Sequence, residues 1–278
     1  MKIRLQQIAI AMLMLTMSIS VFAQEGADDP LGAADKTTRI YMGPVFGYNS
    51  ITHNAPKLAT FANDKYCPFF EGGTGQGFYF GFSYEHHIGK PEESISSVIG
   101  RVIYSMYPGS MDIPGDDFPS LVEDPSGGSS GLSIVKSTTK HTLEVDYNVL
   151  AVEVMYKQNF IKEVPLGVTF GPSFEFPLTK NVKQEYQLVT PLTAQFSKVD
   201  KYNYSADNRT VILKDGEIDK AAGIRVGIKI GVQYELILFQ RAYIVPALYY
   251  NYALTNVKSD EDWSINVIQV GCDIRWAF

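Results

Sequence analysis

Ile268-Gln269-Val270-Gly271-Cys272-Asp273-Ile274-Arg275-Trp276-Ala277-Phe278 is the stretch that decides the fold. Its even positions are all apolar, and its odd positions are Gln, Gly, Asp, Arg and Ala. A repeat of two is the side-chain period of a β-strand, so the two sets stand on opposite faces of one extended segment. One face suits hydrocarbon and the other does not.

The same test repeats upstream. Ile40, Met42, Pro44, Phe46 and Tyr48 stand opposite Arg39, Gly43, Gly47 and Asn49, and Phe78, Phe80, Phe82 and Tyr84 stand opposite Ser83, Glu85 and His87. Residues 96–107 alternate less cleanly. In 166–176 every even position is apolar, and in 224–236 the odd positions are Arg225, Gly227, Lys229, Gly231, Gln233 and Glu235. Residues 244–254 make a seventh segment, with Tyr and Ala on the weaker face. One segment changes register: Leu143, Val145, Tyr147 and Val149 are followed by Leu150, Val152, Val154 and Tyr156. A β-bulge near Val149-Leu150 would return all eight to a single face, with Glu144, Asp146, Glu153 and Lys157 opposite. Eight strands result.

The links between them alternate in length. Residues 88–94, 159–165 and 237–242 are short, whereas 50–75, 108–140 and 177–222 are long. An eight-stranded antiparallel transmembrane up-and-down barrel has this pattern, with short periplasmic turns and long external loops. A lipocalin-like barrel would share the strands and invert their faces, with apolar residues inside. The membrane reading is preferred because the weaker faces combine Gly with charges of both signs, and because Tyr48, Tyr84, Tyr104, Tyr156, Tyr234 and Tyr252 lie toward strand ends, where interfacial girdles belong.

The chain has 278 residues and a formal charge of −6, with 45% apolar and 13% aromatic residues. That composition excludes a disordered protein, and a pI near 5.3 excludes nucleic acid as the main partner. Lys2 and Arg4 precede an apolar run ending Val21-Phe22-Ala23, which reads as a secretory signal peptide over 1–23 with cleavage between Ala23 and Gln24. Residues 24–38 then form a periplasmic linker and 39–278 the barrel domain. After residue 24 no apolar run reaches the length of a membrane helix.

A leader, eight such strands and a last strand ending Ile274-Arg275-Trp276-Ala277-Phe278 resemble bacterial outer-membrane barrels of the OmpA/OmpX-like or PorT-like type. The resemblance covers about residues 38–278. It implies a place in the cell outer membrane among outer-membrane lipid, and insertion by the barrel-assembly machinery, for which Ile274, Trp276 and Phe278 would form the recognition signal. With nothing after Phe278, no appended OmpA-type peptidoglycan-binding domain is expected.

If hydrocarbon lies outside, the charges of the weaker faces must lie in the lumen, since a basic side chain facing lipid at midplane costs about 2–4 kcal/mol. The expected lumen network is Glu85, Arg101, Glu144, Asp146, Glu153, Lys157, Glu175, Arg225, Lys229, Glu235, Asp273 and Arg275, joined by Arg39. An eight-stranded barrel is just wide enough for side chains to fill, so a plugged lumen is expected rather than an open pore.

Ser83, Glu85 and His87 share one strand face, and a Ser/acid/His set is the material of acyl transfer. Neighbours at i and i+2 are about 6.6 Å apart along a strand, too far for a nucleophile and its base. No catalytic residue, cofactor or metal site is therefore assigned; His53, His86 and His141 show no metal-ligand spacing. Glu71 to Gly77 lacks the Lys-Ser/Thr of a phosphate loop and reads as a flexible loop. Pro125 to Gly131 reads as a mobile loop tip, and Thr210 to Glu217 as a hairpin turning at Asp215-Gly216. Tyr186 to Val189 suits a barrel wall extended beyond the membrane. Cys67 and Cys272 are placed too differently to pair. The expected function is that of a structural or surface-interaction protein whose loops 50–75, 108–140 and 177–222 contact an extracellular ligand or protein partner. A subunit of a protein export apparatus, which the PorT-like resemblance would allow, a lipid A-modifying enzyme and a narrow pore are the alternatives.

Overall fold

The computed structural model describes residues 39–58, 69–90, 93–123, 132–161, 164–239 and 241–278. The signal peptide, its cleavage site at Ala23-Gln24, the linker, Cys67 and the tip 125–131 lie outside the described residues.

Among the described residues twelve strands follow one another: β1 (Ile40–Leu58), β2 (Phe70–His87), β3 (Ser96–Met106), β4 (Gly109–Glu123), β5 (Leu132–Asn159), β6 (Leu166–Thr190), β7 (Asn203–Tyr204), β8 (Thr210–Glu217), β9 (Arg225–Tyr234), β10 (Leu236–Phe239), β11 (Ala242–Ala253) and β12 (Ser264–Ala277). Eight of them close a ring of antiparallel ladders. β1 pairs with β2, β2 with β3, β3 with β5, and β5 with β6. From there β6 pairs with β9, β9 with β11, β11 with β12, and β12 returns to β1. Closure leaves no sheet edge for lipid to meet, which is what a membrane-spanning sheet requires.

Along the ring odd-numbered residues point inward and even-numbered ones outward. Phe46, Phe78, Phe80, Phe82, Val154, Phe170, Phe174, Ile230, Leu248 and Ile268 are exposed on the outer wall, although each would gain from burial in a soluble protein. Hydrocarbon is the environment in which that wall is stable. The eight-stranded antiparallel transmembrane barrel is thus read directly from the pairings and the two faces.

Three expectations need correction. First, β5 has no bulge: its odd residues face inward without interruption from Ser137 to Asn159. Leu143, Val145, Tyr147 and Val149 are therefore inside, and Glu144 and Asp146 are exposed outside. The two halves of β5 have opposite polarity because their surroundings differ. Below Leu150 the outside is lipid and the inside polar, whereas above it the outside is water and the inside an ordinary apolar core. The register shift at this level falls instead on β6, where Asn148 faces Thr179 and Val149 faces Pro177, leaving Leu178 as the extra residue. Inward positions on β6 change accordingly from Glu175 to Val182 and Gln184.

Second, much of the predicted long loops is strand. β4 continues β3 past a break at Tyr107-Pro108 and pairs with β5 from Gly109↔Val145 to Glu123↔Leu132. At about 3.3 Å per residue, the 28 residues of β5 span about 90 Å, far more than a bilayer needs. Glu71 to Gly77 also belongs to a strand. There a Cβ on Gly75 would collide with the Pro108 carbonyl, so the glycine is what lets β2 pass close to the break.

Third, Asp215-Gly216 is not a turn. β8 runs straight through it, with Lys183↔Asp215 and Val182↔Gly216 paired. The reversal lies before β8, where Asn208 adopts φ 55 and Asp207 accepts hydrogen bonds from Ser205 Oγ and Arg209 N.

Candidate functional site

The inward faces of the ring strands fill the lumen in tiers. In the lowest, Glu85 accepts from Lys157 Nζ at 2.8 Å, from Arg275 and from Ser97, while Lys157 also pairs with Glu235 and Arg275 Nη2 with Asp273 at 2.5 Å. In the middle tier Glu153 pairs with Lys229 and stands 3.5 Å from Arg101. The Arg101 guanidinium lies over the Tyr249 ring at 4.6 Å and the Tyr79 ring at 5.6 Å. Tyr79 in turn fits against Gly47 and Gly271, where a Cβ would strike its ring. In the upper tier Glu175 meets Arg225 at 3.1 Å and accepts from Tyr107 Oη at 3.0 Å and Asn251 Nδ2 at 2.8 Å.

Of the expected lumen residues, Glu85, Arg101, Glu153, Lys157, Glu175, Arg225, Lys229, Asp273 and Arg275 are buried together, and Glu235 sits at the lower lip. Five basic groups thus face five acidic ones. Glu144 and Asp146 do not belong to the network, and neither does Arg39, which is exposed at the strand entrance. Sequence reasoning missed the neutral connectors: Gln269 accepts from Lys229 at 2.5 Å and donates to Asn49 Oδ1 at 2.9 Å. Both sit at inward odd positions, which is the signal that could have found them.

Ser83, Glu85 and His87 do share the inner face, and His87 Nε2 stands 3.8 Å from Glu85 Oε1, but Ser83 is engaged elsewhere. Ser83 Oγ donates to the Gly43 carbonyl at 3.4 Å, Glu85 is held by Lys157 and Arg275, and the His87 ring packs edge-on against Tyr41. Nothing in this arrangement aligns a nucleophile with a base. Ile274, Trp276 and Phe278 follow one another on the outer face at the lower end, and Cys272 is a free thiol on that face.

Above the charged tiers the interior becomes apolar. Ile51, Phe70, Leu143, Val145, Val182, Val257 and Trp263 are among the residues of one buried cluster that fills the interior above the ion pairs. Within it Trp263 Nε1 donates to His53 Nδ1 at 3.2 Å, so the proton of the neutral ring sits on Nε2, which faces the Pro108 carbonyl at 3.4 Å. Burial pushes the His53 pKa down to about 4, with nearby Arg225 acting in the same direction.

Beyond the ring, β4, β5, β6, β8 and β7 form an external sheet. Its outer face carries two cross-strand pairs between β5 and β4, Lys136 with Asp117 at 2.7 Å and Lys140 with Asp112 at 3.4 Å, and one pair along β6, Lys183 with Glu185 at 2.6 Å. The Glu185 carboxylate raises the Lys183 pKa. A groove of about 600 Å³ runs from Thr74 on β2 and Ser110 on β4 across Glu144 and Asp146 on β5 to Lys183 on β6 and Asp215 on β8. On the inner side His141 stacks on Tyr186 at 4.5 Å, and Tyr186 contacts Phe196 at 5.4 Å. The segment between β6 and β8 is drawn together by Arg209, whose guanidinium faces the carbonyls of Leu188, Val189, Pro191, Leu192 and Ala194 at 2.5–3.2 Å. No sequence pattern marks Arg209, because its partners are backbone atoms.

No protein-family model matches the sequence, and no curated protein matches it. Among solved structures the fold is similar to Ail, the attachment invasion locus protein of Yersinia pestis, at 9% identity and a TM-score of 0.30, over 86% of this chain and 99% of that one. It is also similar to Neisserial surface protein A, at 10% identity and 0.36, over 86% and 97%, and to OprG from Pseudomonas aeruginosa, at 7% and 0.32, over 90% and 100%. At those scores the ring of pairings, and not the likeness, carries the fold.

Proposed function

We propose that this chain is an integral outer-membrane barrel of the surface-interaction kind, closed to diffusion and working through its external sheet, with the short turns in the periplasm. The observation that carries this reading is the division of labour along the wall. The lumen is filled by balanced ion pairs and then by an apolar core, which leaves no path for solute. The strands continue into a sheet whose segment 188–194 is held in one shape by Arg209. A pre-organised segment contacts a partner with less ordering entropy to lose than a mobile loop would. Delivery by the 1–23 leader, insertion through the Ile274-Trp276-Phe278 face, and kinship with OmpA/OmpX-like or PorT-like barrels belong to the same reading.

The test is surface presentation coupled to function. An epitope inserted between Gly127 and Gly128 should be reached by antibody on intact cells, and the mature chain should begin at Gln24. Replacing 112–141 with a short turn should leave a heat-modifiable barrel that has lost binding of cells or matrix. An epitope reached only after the outer membrane is permeabilised would reverse the topology, and retained binding would place the contact elsewhere.

A further inference from the structure

The outward positions of β5 run Leu150, Val152, Val154, Tyr156, Gln158 and then Phe160 in the turn, and those of β2 run Phe78, Phe80, Phe82, Tyr84, His86 and then Ile88 in the turn. If the apolar belt stopped at Tyr156, its six residue steps would cover about 20 Å along a strand, or about 15 Å of height at a tilt near 40°. The outer apolar band of a membrane barrel is about 25 Å tall. Ten steps, from Leu150 to Phe160, give about 33 Å along the strand and about 25 Å of height. The same ten steps separate Phe78 from Ile88, Leu166 from Phe176, Ile224 from Tyr234, and Ile268 from Phe278.

The turns have the side chains for such a place. Phe160 is 75% exposed and Phe239 69%, and Ile88, Ile95, Ile161 and Phe278 are exposed beside them. An independent feature agrees. Just above Phe160, Tyr156, Ser96 and Gln158 face outward and bond one another. Tyr156 Oη donates to Gln158 Oε1 at 2.6 Å, Ser96 Oγ lies 2.8 Å from the same oxygen, and Gln158 Nε2 donates to the carbonyls of Ile95 and Asn159. Polar groups turned toward water need no such closed set, whereas groups turned toward lipid do.

From the continuity of these residues with the belt we infer that the lower turns are sunk in the membrane, with Phe160, Phe239, Ile88 and Phe278 seated in the phospholipid leaflet on the turn side. The partner of this surface is lipid. The inference rests on the barrel lying in a bilayer, as proposed above, and adds where its lower boundary falls.

Single-site tryptophans separate the two. In a Trp276→Phe background, Trp263 stays buried in the core and gives constant emission. Phe170→Trp reports the middle of the belt, and Phe160→Trp and Phe239→Trp report two separate turns. Each variant is refolded into phosphatidylcholine vesicles whose acyl chains carry bromine near the headgroup or near the chain end, and heat-modifiability confirms folding. The inference requires that both turn tryptophans lose emission to headgroup-proximal bromine and resist aqueous acrylamide, while Trp at 170 loses more to deep bromine. Quenching at 170 with turn tryptophans that respond only to acrylamide would overturn it and leave the turns open to a periplasmic protein. Absence of quenching at 170 would remove the bilayer reading itself.

Discussion

His53 is neutral in the folded chain because its Nδ1 must accept from Trp263 and because its surroundings are dry. Its pKa is about 4 there against about 6.5 when unfolded, so the unfolded chain binds more protons between those values. Stability is full above pH 6.5 and falls as pH drops toward 4, by on the order of 3 kcal/mol for this residue. Denaturant midpoints measured across that range should show the slope, and His53→Asn should flatten it. The lumen offers a sharper contrast. Glu85→Ala leaves Lys157 and Arg275 buried with less counter-charge, for which a loss of about 3–5 kcal/mol is expected in unfolding from vesicles. Asp146→Asn, on the outer surface, should change the midpoint by less than about 0.5 kcal/mol.

Among the elements, β5 and the segment clamped by Arg209 separate what local pattern shows from what it hides. Leu143→Ala removes a side chain that is 0% exposed and should cost about 2–5 kcal/mol, a value typical of soluble cores, although the strand continues into lipid. Arg209→Ala should speed amide exchange over 188–194 while leaving the denaturant midpoint of the barrel nearly unchanged, because its bonds lie beyond the ring. The period of two, the even face of Phe78 to Tyr84 and the odd face of Arg225 to Glu235 were legible from residues alone. The inward Leu143, Val145 and Tyr147 were not. Alternation locates two faces, but which face is dry depends on the medium outside, and that medium changes near Leu150. Asp215-Gly216 misled for a related reason: a turn dipeptide acts as a strand once β6 supplies a full ladder beside it.

For the whole molecule, the decisive property is that, among the described residues, ion pairs fill the lower lumen and an apolar cluster fills the space above them. Reconstituted in a planar bilayer, the folded chain should give no stable conductance. A reproducible step would mean that the apolar cluster around Trp263 opens and that the closed-barrel reading fails. The eight-strand ring was within reach of the sequence because a barrel repeats one simple rule eight times. The external sheet was not, since β4 and β8 carry Pro114, Pro119 and Gly216, residues that weaken a strand signal and that an edge tolerates. The lumen charges fall between these cases. Residues at odd positions in lipid-crossing segments were recoverable, whereas Glu144 and Asp146 needed the height of the membrane.

The change of polarity along β5 also acts as an error check on assembly. Slide the strand by one residue and each side chain moves to the other face. In the upper half Leu143, Val145 and Tyr147 would meet water, at about 1.5–3 kcal/mol for each side chain of this kind left exposed. In the lower half Lys157 would meet lipid, at a cost of up to about 2–4 kcal/mol depending on depth. A uniformly patterned strand is penalised by one solvent when it slips, whereas this one is penalised by two at once. The two penalties fall at opposite ends of the same strand, so a partly zipped hairpin is already checked at whichever end closes first.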